Sequence, residues 1–335
     1  MGKSSAIRHL GNTFKYFVEV NFERDKEIIS VFTGNLKPRE IASRLSAFYG
    51  IPVIPGETLL FLDEIQACPE AIHSLWFFYE DYPELHVAAA GSLLEFALKK
   101  MTSFGVGRVR SLFMYPMSFD EFLVATGNAG WIEAKQNASP DNPLFEALHG
   151  KLVESFRNYL MVGGMPESVA NWVESGDYLT CQQVQDDIML AYEDDFAKYE
   201  ERVDSMLLKQ TLHSVALQIG CKFVYSNVQG NYRGEKVKGA LELLKDAGLI
   251  RPAIHTAANG IPLGAEINDK FVKYVFLDSG LLLRLLGLEN TGGSSEVSKM
   301  ILVGAASDLV NKGHITEMVA GLELLKYNTP AQRHD

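Results

Sequence analysis

Cysteine is scarce in this 335-residue chain: the three present, Cys68, Cys181 and Cys221, lie far apart. They form neither an even disulfide framework nor a metal-binding pattern, so a reducing compartment is the simplest expectation. No run of about 18 apolar residues occurs, which argues against a membrane-spanning helix. The N-terminus lacks a basic segment followed by an apolar one, so no secretory signal is read there and a cytoplasmic location is expected. Basic residues are also in deficit. Lys and Arg total 31 against 42 Asp and Glu, a net charge of −11. That balance argues against wholesale coating of nucleic acid but leaves room for a local basic face. No internal repeat or low-complexity tract is evident. Apolar residues make up 47% of the chain, enough for real cores, and the length suits roughly two to three domains.

One stretch organises the rest: Thr58-Leu59-Leu60-Phe61-Leu62-Asp63-Glu64-Ile65-Gln66. A short apolar run without alternation reads as a strand buried on both faces, as in a parallel sheet. Two carboxylates at the C-terminal end of such a strand sit where open α/β sheets bind ligands. Asp63 can hold Mg²⁺ directly or through water, and Glu64 can orient and deprotonate an attacking water. This is the Walker B arrangement of P-loop NTPases. Read alone, the stretch also fits a buried strand that ends in two solvated acids. The first residues, Met1-Gly2-Lys3-Ser4-Ser5, match the last part of the G-x-x-x-x-G-K-[ST] phosphate loop. Gly2, Lys3, Ser4 and Ser5 are therefore the candidate nucleotide-binding residues. Lys3 would reach the β- and γ-phosphates, the Ser4 hydroxyl would join Asp63 on Mg²⁺, and N–H groups of the following helix would face the phosphates.

With these residues in view, the chain resembles the prokaryotic AAA-type ATPases that carry a C-terminal restriction-endonuclease-like domain of unknown function. The resemblance spans nearly the whole chain. It rests on Leu60 to Gln66, Ala90-Gly91-Ser92-Leu93-Leu94, Tyr115 to Phe122 (YPMSFDEF), Gly163-Gly164-Met165-Pro166-Glu167 and Phe276-Leu277-Asp278-Ser279-Gly280-Leu281, in the family's order. Both ends depart from the family. Its phosphate loop begins before Gly2, on a strand this chain lacks, so nucleotide binding by the chain as given is expected to be poor. Its C-terminal domain continues beyond Asp335. The resemblance makes Ser92 a candidate sensor of the γ-phosphate or attacking water, while Ser92 serves equally as a helix N-cap. ATP and Mg²⁺ are the ligands it implies.

The expected fold class is α/β: a P-loop NTPase sheet, a helical lid, a winged-helix domain and a partial nuclease-like α/β domain. The boundaries fall at 1–130, 131–202, 203–262 and 263–335. In the first domain, Phe17 to Phe22 reads as a strand and Lys37 to Phe48 as a helix. Pro69 opens a further helix with Ile72, Leu75, Trp76 and Tyr79 inward, and the cluster Trp76 to Tyr79 reads as core rather than as a stacking platform. Leu85 to Ser92 and Ser111 to Tyr115 read as strands. Arg108 and Arg110 lie in a glycine-containing loop, Phe104 to Arg110; Arg108 is the candidate for a trans-acting arginine in an oligomer, and surface ion pairing is the alternative. Ser118 and Glu121 form a capping-box pattern.

Gly127 to Pro143 is polar and reads as a surface connection, and a helical region runs from Asn142 to about Phe196, broken at Gly163 to Pro166. The acidic run Glu193 to Asp195 reads as a solvated helix face. Residues 203–256 resemble a winged helix. Arg233, Lys236, Lys238 and Lys245 would be exposed if it binds DNA, and docking of a protein client is equally open. A strand at Tyr274 to Leu277 and a helix bearing Glu317 would open the nuclease-like domain, but Glu317 alone does not supply the clustered acids such chemistry needs. The leading expectation is thus an ATP-hydrolysing protein with a possible homo-oligomeric state and no membrane partner. The alternative is a non-enzymatic winged-helix module with a degenerate ATPase domain.

Overall fold

The six residues Thr58–Asp63 form a strand, β2, in which every residue is buried. This follows from parallel neighbours on both sides and covered faces. A computed structural model describes residues 2–34, 37–91, 109–197, 203–286 and 312–327. The chain divides into two compact units, Met1–Met114 and Tyr115–Asp335.

In the first unit, β1 (Tyr16–Asn21) pairs in parallel with β2, and β2 with β3 (His86–Ala89). The register sets Asn21 opposite Asp63 at the C-terminal end of the sheet. Alternation along the strands divides the apolar side chains between two faces. Leu60 and Leu62 join Val18 and Val20 in one cluster with Ile41, Leu45, Ile72 and Phe78. These last four come from α2 (Pro38–Tyr49) and α3 (Pro69–Asp81). Phe61 stacks instead on Phe17, with ring centroids 6.3 Å apart. Phe17 also lies against Gly11, the one buried residue of α1 (Lys3–Gly11), where an added Cβ would run into its ring.

Two expectations for this unit need correction. The buried face of α3 is Ala71, Ile72, Ser74 and Phe78, whereas Tyr79 is 54% exposed and Phe77 lies at the surface. Trp76, half-buried, stacks on Phe77, so only Phe78 of the aromatic cluster is buried. Residues 111–115 do not form a strand: Leu112 and Met114 are exposed, and without a pairing partner an extended segment gains no ladder hydrogen bonds.

The second unit begins with α4 (Phe119–Ala125), closed by the expected capping box: Ser118 Oγ accepts from Glu121 N at 3.2 Å, and Glu121 Oε2 accepts from Ser118 N at 2.7 Å. Within the expected surface connection lies a helix, α5 (Gly130–Gln136), because Trp131 and Ile132 pack on the apolar cluster beside it. That cluster joins Phe119, Phe122 and Leu123 to Leu152, Tyr159, Val162, Val169 and Cys181. The partners lie on α6 (Glu146–Val162), α7 (Pro166–Ser175) and α8 (Tyr178–Ala197).

Beyond them come α9 (Ser205–Leu217), α10 (Gly234–Asp246) and an antiparallel hairpin of β4 (Ile250–Thr256) and β5 (Ile267–Phe276), bulged at Ile254/His255. The strand expected at Tyr274 to Leu277 is thus the end of β5, paired with β4. A boundary at residue 262 falls between two strands of one hairpin. Glu193 of the acidic run pairs with Lys209, at 2.7 Å. Two more helices follow among the described residues, α11 (Ser279–Leu285) and α12 (Lys312–Tyr327).

Three of the sequence motifs meet in a buried polar knot. Asp278, at the end of β5, accepts from Gly164 N at 2.6 Å and from Leu281 N at 3.1 Å, which makes it the N-cap of α11. Gly164 O accepts from Met117 N at 2.7 Å. Met117 O in turn accepts from Lys326 Nζ at 3.0 Å and from the Tyr159 hydroxyl at 2.9 Å. Lys326 also donates to Tyr159 Oη at 2.5 Å, and Glu323 Oε2 accepts from Phe119 N at 3.1 Å. Neither Gly163 nor Gly164 has room for a side chain. A Cβ at Gly163, whose φ is +74°, would strike the Asp278 carboxylate, and one at Gly164 would strike Met117 O.

Candidate nucleotide site

The site lies at the C-terminal end of the parallel sheet, where each strand delivers one group. Gly2, in the left-handed region at φ 69°, turns the chain into α1. Glycine adopts that conformation without steric cost. Lys3 and Ser4 therefore fall in the first helical turn, where free N–H groups and the helix dipole favour an anion. Ser4 Oγ donates to Asp63 Oδ1 at 3.0 Å. This bond joins the two motifs that the sequence holds far apart. Lys3 Nζ donates to Gly91 O, just beyond β3, at 2.8 Å. Burial lowers the Lys3 ammonium below its usual pKa, while the negative charges of Glu64 and then Asp63 pull it back up. A half-buried ammonium in such a setting gains from a further anionic partner. Ser5 is exposed on the same turn.

Asp63 is 4% exposed. Its second oxygen accepts from Asn21 Nδ2 at 3.3 Å, and the Arg8 guanidinium lies 3.9 Å away. Arg8 is engaged by Glu19 in a bidentate pair, at 2.9 and 2.7 Å, which holds the Glu19 carboxyl below its usual pKa. The Asn21 oxygen accepts from the N–H groups of Glu23 and Arg24 at 3.2 and 2.9 Å, fixing the amide's direction. Glu64 follows with φ 51° and ψ 41°, a left-handed conformation unusual for a residue with a Cβ. Its carboxylate accepts from Gln66 Nε2 at 2.6 Å.

The structure thus brings together Gly2, Lys3, Ser4, Asp63 and Glu64. Ser92 and Arg108 lie outside the described residues, and Arg110 is exposed. Asn21, Arg8 with Glu19, and Gln66 were not read as site residues in the sequence. Asn21 carries no signal of this in the sequence, because the register of β1 on β2 sets its place beside Asp63. The Ser4 hydroxyl and the Asp63 carboxylate are hard oxygen donors of the kind that suit a divalent cation such as Mg²⁺. Among the described residues no group of three or more His, Cys, Asp or Glu could hold a metal by itself, so such an ion here would share its ligands with phosphate oxygens and water. Glu317 pairs with Lys273 Nζ on β5, at 2.5 Å. No described helix is long and apolar enough to cross a membrane.

Comparison with known proteins fits this geometry. Residues 1–123 match the family model described as an AAA domain. Residues 153–292 match a model described as a domain of unknown function (DUF8612). No curated protein matches. Among solved structures, that of the Aeropyrum pernix Orc1 protein in complex with DNA is 13% identical, over 86% of this chain and 84% of that one, with a TM-score of 0.29. A TM-score that low does not equate the two folds.

Proposed function

We propose that the protein binds and hydrolyses ATP as an AAA-type ATPase. The observation that carries this reading is the Ser4–Asp63 hydrogen bond, which assembles a phosphate-loop hydroxyl and a strand-end carboxylate as one ligand set. Mg²⁺ held by Ser4 and Asp63 would offset charge on the β- and γ-phosphates. Lys3 leaves Gly91 O to pair with phosphate oxygens. Glu64 orients a water in line with the γ-phosphate and takes its proton. Catalysis is then largely positioning and charge stabilisation. Ser92, as a polar group after β3, and Arg108, from a neighbouring subunit of a homo-oligomer, complete this reading. Steady-state ATP hydrolysis with and without Mg²⁺, at ATP raised to saturation because weak binding is expected, tests it. Turnover that needs Mg²⁺ and falls by about 100-fold or more in Glu64→Gln is expected; turnover equal in the two proteins overturns the reading.

The second unit supports an additional role. Helices α9 and α10 followed by the β4–β5 hairpin have the element order of a winged helix, and Arg233, Lys236 and Lys238 are exposed at the start of α10. We read this unit as a module that binds DNA or a protein client and moves with the nucleotide state. Salt-sensitive duplex binding, lost in Lys236→Glu with Lys238→Glu, distinguishes DNA from a protein client.

A further inference from the structure

Glu64 is fixed more firmly than the assigned roles require. Its left-handed backbone costs roughly 1–2 kcal/mol and persists because its neighbours hold it. Ile65, completely buried, donates its N–H to Ala90 O at 3.1 Å. A short 3₁₀ turn, Ile65–Ala67, follows, closed by Ala67 N on Glu64 O and Cys68 N on Ile65 O, each at 3.0 Å. The turn brings Gln66 back beside Glu64, and its amide N–H reaches Glu64 Oε2 at 2.6 Å. The other end of the same amide, Gln66 Oε1, is buried and accepts no hydrogen bond among the described residues. Leaving a buried carbonyl unpaired costs about 1–3 kcal/mol. A glutamine placed only to satisfy packing would have no reason to bear that cost. Its one side-chain hydrogen bond among the described residues is with the carboxylate. Asp63, one residue earlier, is held instead by Ser4 and Asn21, so the two acids have separate supports.

We propose that Gln66 is the positioning residue of Glu64: its amide N–H occupies one carboxylate oxygen and so aims the other at the attacking water. This inference rests on the ATPase reading. Holding one oxygen restricts rotation about the carboxylate, which matters because a misplacement of about 1 Å can cost 100-fold in rate. Gln66 itself touches neither nucleotide nor water.

The test compares wild type, Gln66→Met, Gln66→Asn and Glu64→Gln in ATP hydrolysis and in binding of a fluorescent ATP analogue. Methionine keeps the length without the amide, and asparagine keeps the amide without the reach. Both are expected to lower kcat by about 10- to 100-fold and to leave KM and analogue affinity unchanged. The double variant Glu64→Gln with Gln66→Met should be no slower than Glu64→Gln alone. If Gln66→Met fails to fold, Gln66→Asn decides. Wild-type kcat in the folded variants, with Glu64→Gln inactive, overturns the Gln66 assignment and leaves the ATPase reading standing. Wild-type turnover that is absent, or insensitive to Glu64→Gln, overturns both.

Discussion

The tripeptide Phe-Leu-Asp occurs at the end of a strand in each unit, as Phe61-Leu62-Asp63 and as Phe276-Leu277-Asp278. Both aspartates are buried, at 4% and 1% exposure. Their partners differ in kind. Asp278 takes its hydrogen bonds from backbone N–H groups of Gly164 and Leu281, which cannot leave without unfolding the loop and helix they belong to. Asp63 takes its hydrogen bonds from the side chains of Ser4 and Asn21, which can rotate away. Burial raises the pKa of the Asp278 carboxyl above its usual value despite those backbone bonds. Equal burial of the same residue therefore carries opposite meanings: an acid clasped by the main chain is architecture, and one held by exchangeable side chains remains available for chemistry.

The largest expected effect tests the exchangeable member of the pair. Asp63→Ala should cut Mg²⁺-dependent turnover by about 1,000-fold, while urea unfolding shows a loss of stability of only about 1 kcal/mol, the worth of the hydrogen bonds removed. A large stability loss with little change in turnover would erase the distinction. Asp278→Ala is expected to do the reverse. It strips Gly164 and Leu281 of their acceptor and α11 of its cap, so urea unfolding should report a loss of about 3 kcal/mol. Residual ATP affinity measured below the unfolding transition should be unaltered.

The smallest effect is in pH. Because the folded pKa of Asp278 lies above the unfolded value near 3.8, the folded state binds more protons between the two values. The stabilising contribution of the protonated carboxyl is fully present below the unfolded pKa and is lost as pH rises through the folded one. Lys326 opposes this shift by its charge. In urea titrations from acid toward neutral pH, the stability advantage of wild type over Asp278→Asn should shrink as pH rises; a constant difference would show that burial does not shift the group.

Strong local patterns were legible in the sequence. An unbroken apolar run announced β2, and the Ser118–Glu121 spacing announced its capping box, because both signals are complete within a few residues. The pairing of Ser4 with Asp63 was legible as a motif pair. What could not be read were contacts fixed by register or by a turn: Asn21 beside Asp63 depends on how β1 aligns with β2, and Gln66 reaches Glu64 only because a 3₁₀ turn reverses the chain. Polarity also misled at Gly127 to Pro143, where two apolar residues, Trp131 and Ile132, sufficed to dock α5. The apolar residues of 111–115 suggested a strand, but strand formation depends on a partner, and composition carries no information about that.

One consequence of the buried knot concerns the order in which the protein is made. Glu323 and Lys326 reach back to Phe119 and Met117 across separations of 204 and 209 residues. The hydrogen bonds around Asp63 and Lys3 are all present once the chain has emerged as far as Gly91. On the ribosome, where early segments fold first, the nucleotide end of the sheet can assemble while most of the second unit is still being synthesised. The groups at Met117 and Phe119 wait for α12, made 209 and 204 residues later, and such distant closures are slow. During that interval Tyr159 and the Met117 carbonyl lack the lysine that later covers them, which makes the nascent second unit the stage at which a chaperone would have most to hold.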